Sequence, residues 1–164
     1  MGRFALLLIA LLVLCGCPLL SAQGPGVAAP GPEASEVCKR LNSIKHMPFQ
    51  NEHVDDEVYN QVVAKGQAIV PCLVEQLTNG TKMADPRSEP TVADFRVGDS
   101  AFFLLLRITN VPFEQMLPNS VKDKLKEEGV YAYFKYSEDP ANRAALQRRW
   151  KAWLKAHPSQ PKAK

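Results

Sequence analysis

Residue types that carry covalent or metal chemistry are scarce in this sequence, and what is missing narrows its function before any pattern is read. There are three histidines and four cysteines in 164 residues. No Gly-rich phosphate loop, no Gly-x-Ser-x-Gly and no His-Glu-x-x-His occurs. The backbone cradle of a P-loop, the serine elbow of an α/β-hydrolase and the two-histidine face of a zincin are therefore excluded. Long hydrophobic runs are few as well: beyond the N-terminal leader nothing approaches the ~20 apolar residues needed to cross a bilayer. A strong charge excess is also absent, with a net charge of +3 and 23% charged residues, an ordinary balance for a globular protein.

What is present begins with a leader. Arg3 supplies one positive charge, and residues 5–14 are unbroken apolar, the first two regions of a secretory signal. The segment 14–17, Leu-Cys-Gly-Cys, resembles the lipobox of bacterial lipoproteins, in which the final cysteine becomes the lipidated first residue. That resemblance implies lipidation at Cys17, and Cys15 at the middle position departs from the usual alanine, serine or threonine. A second cleavage site competes at Leu20-Ser21-Ala22 before Gln23, which would give plain secretion. Residues 1–22 are read as the signal region under either outcome. Residues 23–34 are rich in glycine, proline and alanine and are expected to form a flexible linker. A single helical domain is expected over 35–157, with a frayed tail at 158–164.

After the leader only Cys38 and Cys72 remain in the domain. In an oxidising envelope compartment they are a disulfide candidate; two buried free thiols acting as small hydrophobes are the alternative.

Helical spacing dominates the domain. Ser35 can cap a short helix over 35–45 carrying Val37, Cys38, Leu41 and Ile44. Asp55 and Asp56 open a second, with Val58, Tyr59, Val62 and Val63 as its stripe and Gly66 as its break. A third spans 67–77, and residues 101–106 (Ala-Phe-Phe-Leu-Leu-Leu) are apolar on nearly every face, as expected of a central, enclosed helix. A polar helix is expected over 121–128. Residues 130–136 (Val-Tyr-Ala-Tyr-Phe-Lys-Tyr) fit a strand by composition and a helix by their all-helical surroundings. Asp139-Pro140 starts the last helix, with Leu146, Trp150, Trp153 and Leu154 on one face and Arg148, Lys151 and Lys155 opposite.

Residues 62–74, a helix ending in glycine followed by Val-Pro-x-Leu, resemble a HEAT-type repeat, and 94–101 resemble part of a second. The likeness implies an all-α, HEAT-like domain of about five to six helices, acting through helix faces and the loops between them.

The loop 81–91 is long for a compact domain, which suggests either a functional segment or a solvated insertion. Asp85, Arg87, Glu89, Asp94 and Arg96 on and beside it are the expected partner-binding residues. No cofactor and no metal is expected: His53 with Asp55 and Asp56 is the nearest approach to a ligand set, and helix capping explains those acids better. The basic last helix could meet an anionic surface, but its apolar stripe has the width of one docked on a core, and export argues against nucleic acid. Asn79-Gly80-Thr81 fits the glycosylation pattern, which a bacterial lipoprotein would leave bare. The expected function is therefore that of a non-enzymatic helical protein in the cell envelope, held to the membrane by lipid and binding another protein. Alternatives are an inhibitor or immunity-type protein for an envelope enzyme, a hydrolase with a dispersed site, and a soluble periplasmic or secreted form. Partner identity and oligomeric state are not specified by the sequence.

Overall fold

The computed structural model describes residues 31–48, 53–88 and 91–158. The leader, the proposed lipobox with Cys17, most of the linker, Glu89 and the end of the tail lie outside them.

Helix α1, Pro32–Cys38, starts three residues before the expected Ser35. Proline fits its first turn because the missing N–H would have no intrahelical acceptor there. A 3-10 turn, Leu41–Ser43, follows, so the expected helix over 35–45 is split in two. Helix α2, Glu57–Lys65, is capped by Asp56, whose side chain accepts from the Tyr59 amide at 2.9 Å. The same carboxylate accepts from the amides of Lys45 at 2.7 Å and His46 at 3.1 Å, tying the preceding connector to the helix start.

Gly66, at φ 53°, ends α2 in the left-handed region where glycine is unstrained. The chain then passes through a 3-10 turn, Gly66–Ile69, into α3, Val70–Gln76. The expected helix over 67–77 is thus one 3-10 turn and one α-helix, because Pro71 is tolerated only near a helix start. Helix α4, Val97–Thr109, stops at Asn110, at φ 54°. After a 3-10 turn, Phe113–Met116, the polar segment forms two short helices, α5 (Asn119–Lys122) and α6 (Leu125–Glu128). Residues 131–137 are helix α7, Tyr131–Ser137, which resolves the strand-or-helix ambiguity: Ala132, Tyr133, Phe134 and Ser137 face inward while Tyr131 and Lys135 are exposed. Helix α8, Pro140–Ala156, begins at Asp139, whose carboxylate accepts from the Ala141 amide at 2.8 Å.

The fold is all-α. Six of these α-helices are seven residues or longer, and among the described residues the only ladder pairings are two isolated bridges, Met47 with Arg87 and Lys82 with Arg96. None of the described helices is long and apolar enough to cross a membrane.

Helix α4 is central and packs most extensively on α3. Phe102, Leu104 and Leu105 are fully buried, and each side chain of that size contributes roughly 1.5–3 kcal/mol on burial. Enclosure is incomplete, however: Phe103 and Leu106 are half-buried along a groove. Leu146, Trp150 and Leu154 bring the apolar face of α8 into the same core. Cys38 at the end of α1 and Cys72 in α3 are joined by a disulfide, with Cα atoms 6.4 Å apart.

Candidate binding site

In the segment before α4, residues 81–88 and 91–96 are folded onto the core, unlike the solvated insertion its composition suggests. Met83 donates its amide to the Phe95 carbonyl and Val97 to the Thr81 carbonyl, each at 3.0 Å. Met47 donates to Pro86 at 2.8 Å. Asp85 and Arg87 drive this closure. The Arg87 guanidinium donates from Nε to Asp85 Oδ1 at 2.9 Å and from Nη2 to Oδ2 at 2.6 Å, the two-pronged geometry that matches a carboxylate. Asp85 also accepts from the Val92 amide at 2.9 Å. Three rings surround the guanidinium, with Phe134, Phe103 and Phe95 centroids at 4.6, 5.0 and 5.3 Å, so the buried cation is met by π-faces as well as by its counter-ion. Both side chains are inaccessible, at 8% and 3% exposure.

Asp94 and Arg96 are placed differently. They line a cleft of about 590 Å³ between this segment and α6–α7. Tyr131 also lines it and, at 45%, is the exposed large hydrophobic residue among those described. Phe134 adds apolar lining; Glu127, Glu128, Lys135 and Glu138 add charge.

Behind the cleft lies a buried polar network. Asp99, in the first turn of α4, is fully buried. It accepts from the Arg96 amide at 2.9 Å, the Tyr133 hydroxyl at 2.8 Å and the Ser137 hydroxyl at 3.4 Å. Arg143 of α8 donates from Nη2 to Asp99 Oδ2 at 3.0 Å. Burial first, and the Asp99 charge second, push the Tyr133 phenol well above its ordinary pKa, so it stays a donor. Arg143 is itself only 4% exposed and lines the cleft, and its Nε has no hydrogen-bond partner among the described residues.

The chain matches no family model, no curated protein and no solved structure.

Of the residues singled out by sequence, Asp94 and Arg96 meet at the cleft, Asp85 and Arg87 are spent on each other, and Glu89 lies outside the described residues. Asp56 is occupied as a cap, and His53 is exposed at the approach to α2. Sequence reasoning missed the acids of α6 and α7 and the Asp99–Arg143 pair, and it did not separate Tyr131 from Tyr133 and Tyr136. One signal was readable: Arg143 falls on the same helical face as Leu146, Trp150 and Leu154, where an arginine needs a buried partner.

A second groove, of about 600 Å³, runs along Tyr59, Phe103, Leu106, Phe113 and Leu125. Arg107 stands at it and opposes the burial that raises the Tyr59 pKa.

Proposed function

We propose that the protein is a lipid-anchored envelope protein whose helical domain binds another protein, with the cleft beside Tyr131 as the contact surface. The observation that carries the binding reading is the combination at this cleft. An exposed tyrosine, the rim residues Asp94 and Arg96, and a buried arginine with an unused donor converge in one concavity. Tyrosine is favoured at interfaces because it offers a large apolar body with a polar tip and few rotamers to freeze. The loop that forms one side is pinned by the Asp85–Arg87 pair, so little ordering entropy remains to be lost on binding.

The export half of the proposal is supported by the leader pattern and by the Cys38–Cys72 bond, which suits an oxidising compartment. Anchoring is tested by Cys17→Ser: the variant should leave the membrane fraction, and its retention there as firmly as the parent would contradict lipidation. Binding is tested by placing a photo-crosslinking amino acid at position 131 and, as a control, at Ala64 on α2. Irradiation of cells should give one discrete adduct from position 131 only. Equal adduct patterns from both positions would sink the cleft as the contact surface.

A further inference from the structure

We infer that this cleft receives a segment of the partner that presents a lysine or arginine side chain, an inference that rests on the reading above. Charge is the first argument. Four carboxylates line the cleft, on Asp94, Glu127, Glu128 and Glu138, against the cations of Arg96, Lys135 and Arg143. Two of those cations, Arg143 and Lys135, and two of those carboxylates, Glu128 and Asp94, are already paired, Asp94 with Lys82. Arg143 lies 2.9 Å from Asp99, and Lys135 lies 3.0 Å from Glu128. Asp94 is held below its ordinary pKa by the hydrogen bond from Lys82, and then by the Lys82 charge. Glu127 and Glu138 form no ion pair among the described residues, and Arg96 alone stands against them. A carboxylate or phosphate ligand would meet these acids unfavourably, whereas an ammonium or guanidinium group would complement them.

Shape is the second argument. Tyr131 and Phe134 give the cleft an apolar lining, and a lysine or arginine lays its methylene stem on such a surface while its head stays in water. Tyr131 can also offer its ring face to the cation.

The third argument is the unused hydrogen-bonding capacity. Arg143 Nε is a buried donor without an acceptor among the described residues, and leaving such a group unmet is costly. Glu128 Oε2 is near Lys135 but not aligned for a hydrogen bond, so the contact neutralises charge while leaving an acceptor open. An unmet donor and an unmet acceptor buried in the wall of one cleft point to a polar partner there.

The test uses the full chain, isotopically labelled, and three capped five-residue alanine peptides with lysine, norleucine or glutamate at the centre. Nuclear magnetic resonance titration should show the lysine peptide shifting the amides of Tyr131, Lys135 and Glu138 to saturation, more weakly as salt rises. The exposed double substitution Glu127→Gln, Glu138→Gln should weaken that binding about fivefold, the scale of surface ion pairs. Norleucine binding as tightly as lysine, glutamate binding better, or the absence of saturable shifts at the cleft would each overturn the inference. If the position-131 adduct forms in cells while the peptides show no lysine preference, the inference fails and the binding reading stands. If neither appears, both fail.

Discussion

Arg143 of α8 reaches across the core to Asp99 of α4, with a closest approach of 2.9 Å and side-chain exposures of 5% and 0%. A buried pair of this kind is weak evidence for net stability, yet breaking it is expensive because the survivor stays charged and uncompensated. Arg143→Met should therefore lower unfolding free energy by roughly 3–5 kcal/mol, read by urea denaturation. Adding Asp99→Asn to Arg143→Met should recover part of that loss. Equal destabilisation by the single and double variants would show that Tyr133, Ser137 and the Arg96 amide already satisfy the carboxylate.

Gly98, one residue before Asp99, is required by close approach and not by backbone angle. A Cβ built there would lie 2.5 Å from the Leu77 carbonyl oxygen and 2.8 Å from Arg143 Nη1. Backbone cannot yield as a flexible side chain can, so Gly98→Ala should cost about 1–3 kcal/mol or more. Gly80→Ala meets only Arg96 Nη1 at 3.4 Å and is the matched control, expected to be near neutral. Thermal melts of the two variants compare them directly.

The Cys38–Cys72 bond closes a sequence separation of 34 residues. Restricting a loop of that length in the unfolded chain contributes about 3–4 kcal/mol by the chain-entropy relation. Reduction, or the double change Cys38→Ser with Cys72→Ser, should lower the denaturation midpoint accordingly. An unchanged midpoint after reduction would contradict the bond.

Asp56 links stability to acid. Burial would raise its pKa, but the amides of Tyr59, Lys45 and His46 together outweigh that and leave the folded pKa below 3.8. A depressed carboxylate pKa stabilises the fold above the unfolded value and loses that contribution as pH falls through the folded value. Stability should therefore decline as pH drops below about 4, and Asp56→Asn should be less stable at neutral pH with a flatter acid limb. Urea midpoints measured across that range give the comparison. Asp94 and Glu33 are also lowered, by Lys82 and Lys65, but they are exposed and should add little.

The fold class was legible because apolar residues recur at helical spacing through α2, α4 and α8, and because Asp56 and Asp139 cap where caps are expected. The interruptions were less legible. Pro71 and Gly66 punctuate the sequence plainly, but whether the chain between them winds as 3-10 or α depends on packing that no local pattern encodes. At the site, Asp94 and Arg96 could be named from the sequence because they flank a long loop. Asp85 and Arg87 look like them in sequence and behave differently, since the pocket made by Phe95, Phe103 and Phe134 that draws Arg87 inward exists only after α4 and α7 have packed. Tyr131 was hidden for the complementary reason. Its neighbours Tyr133 and Phe134 are buried and it is not, a difference fixed by which face of α7 meets Phe102 and Phe103.

The most direct test of a basic segment seated beside Tyr131 is competition. With the photo-crosslinker at position 131, the partner adduct should fall steadily as the lysine-centred peptide is added to envelope extract and be unaffected by the glutamate-centred one. An adduct whose yield stays constant while the lysine peptide saturates the cleft would contradict the account.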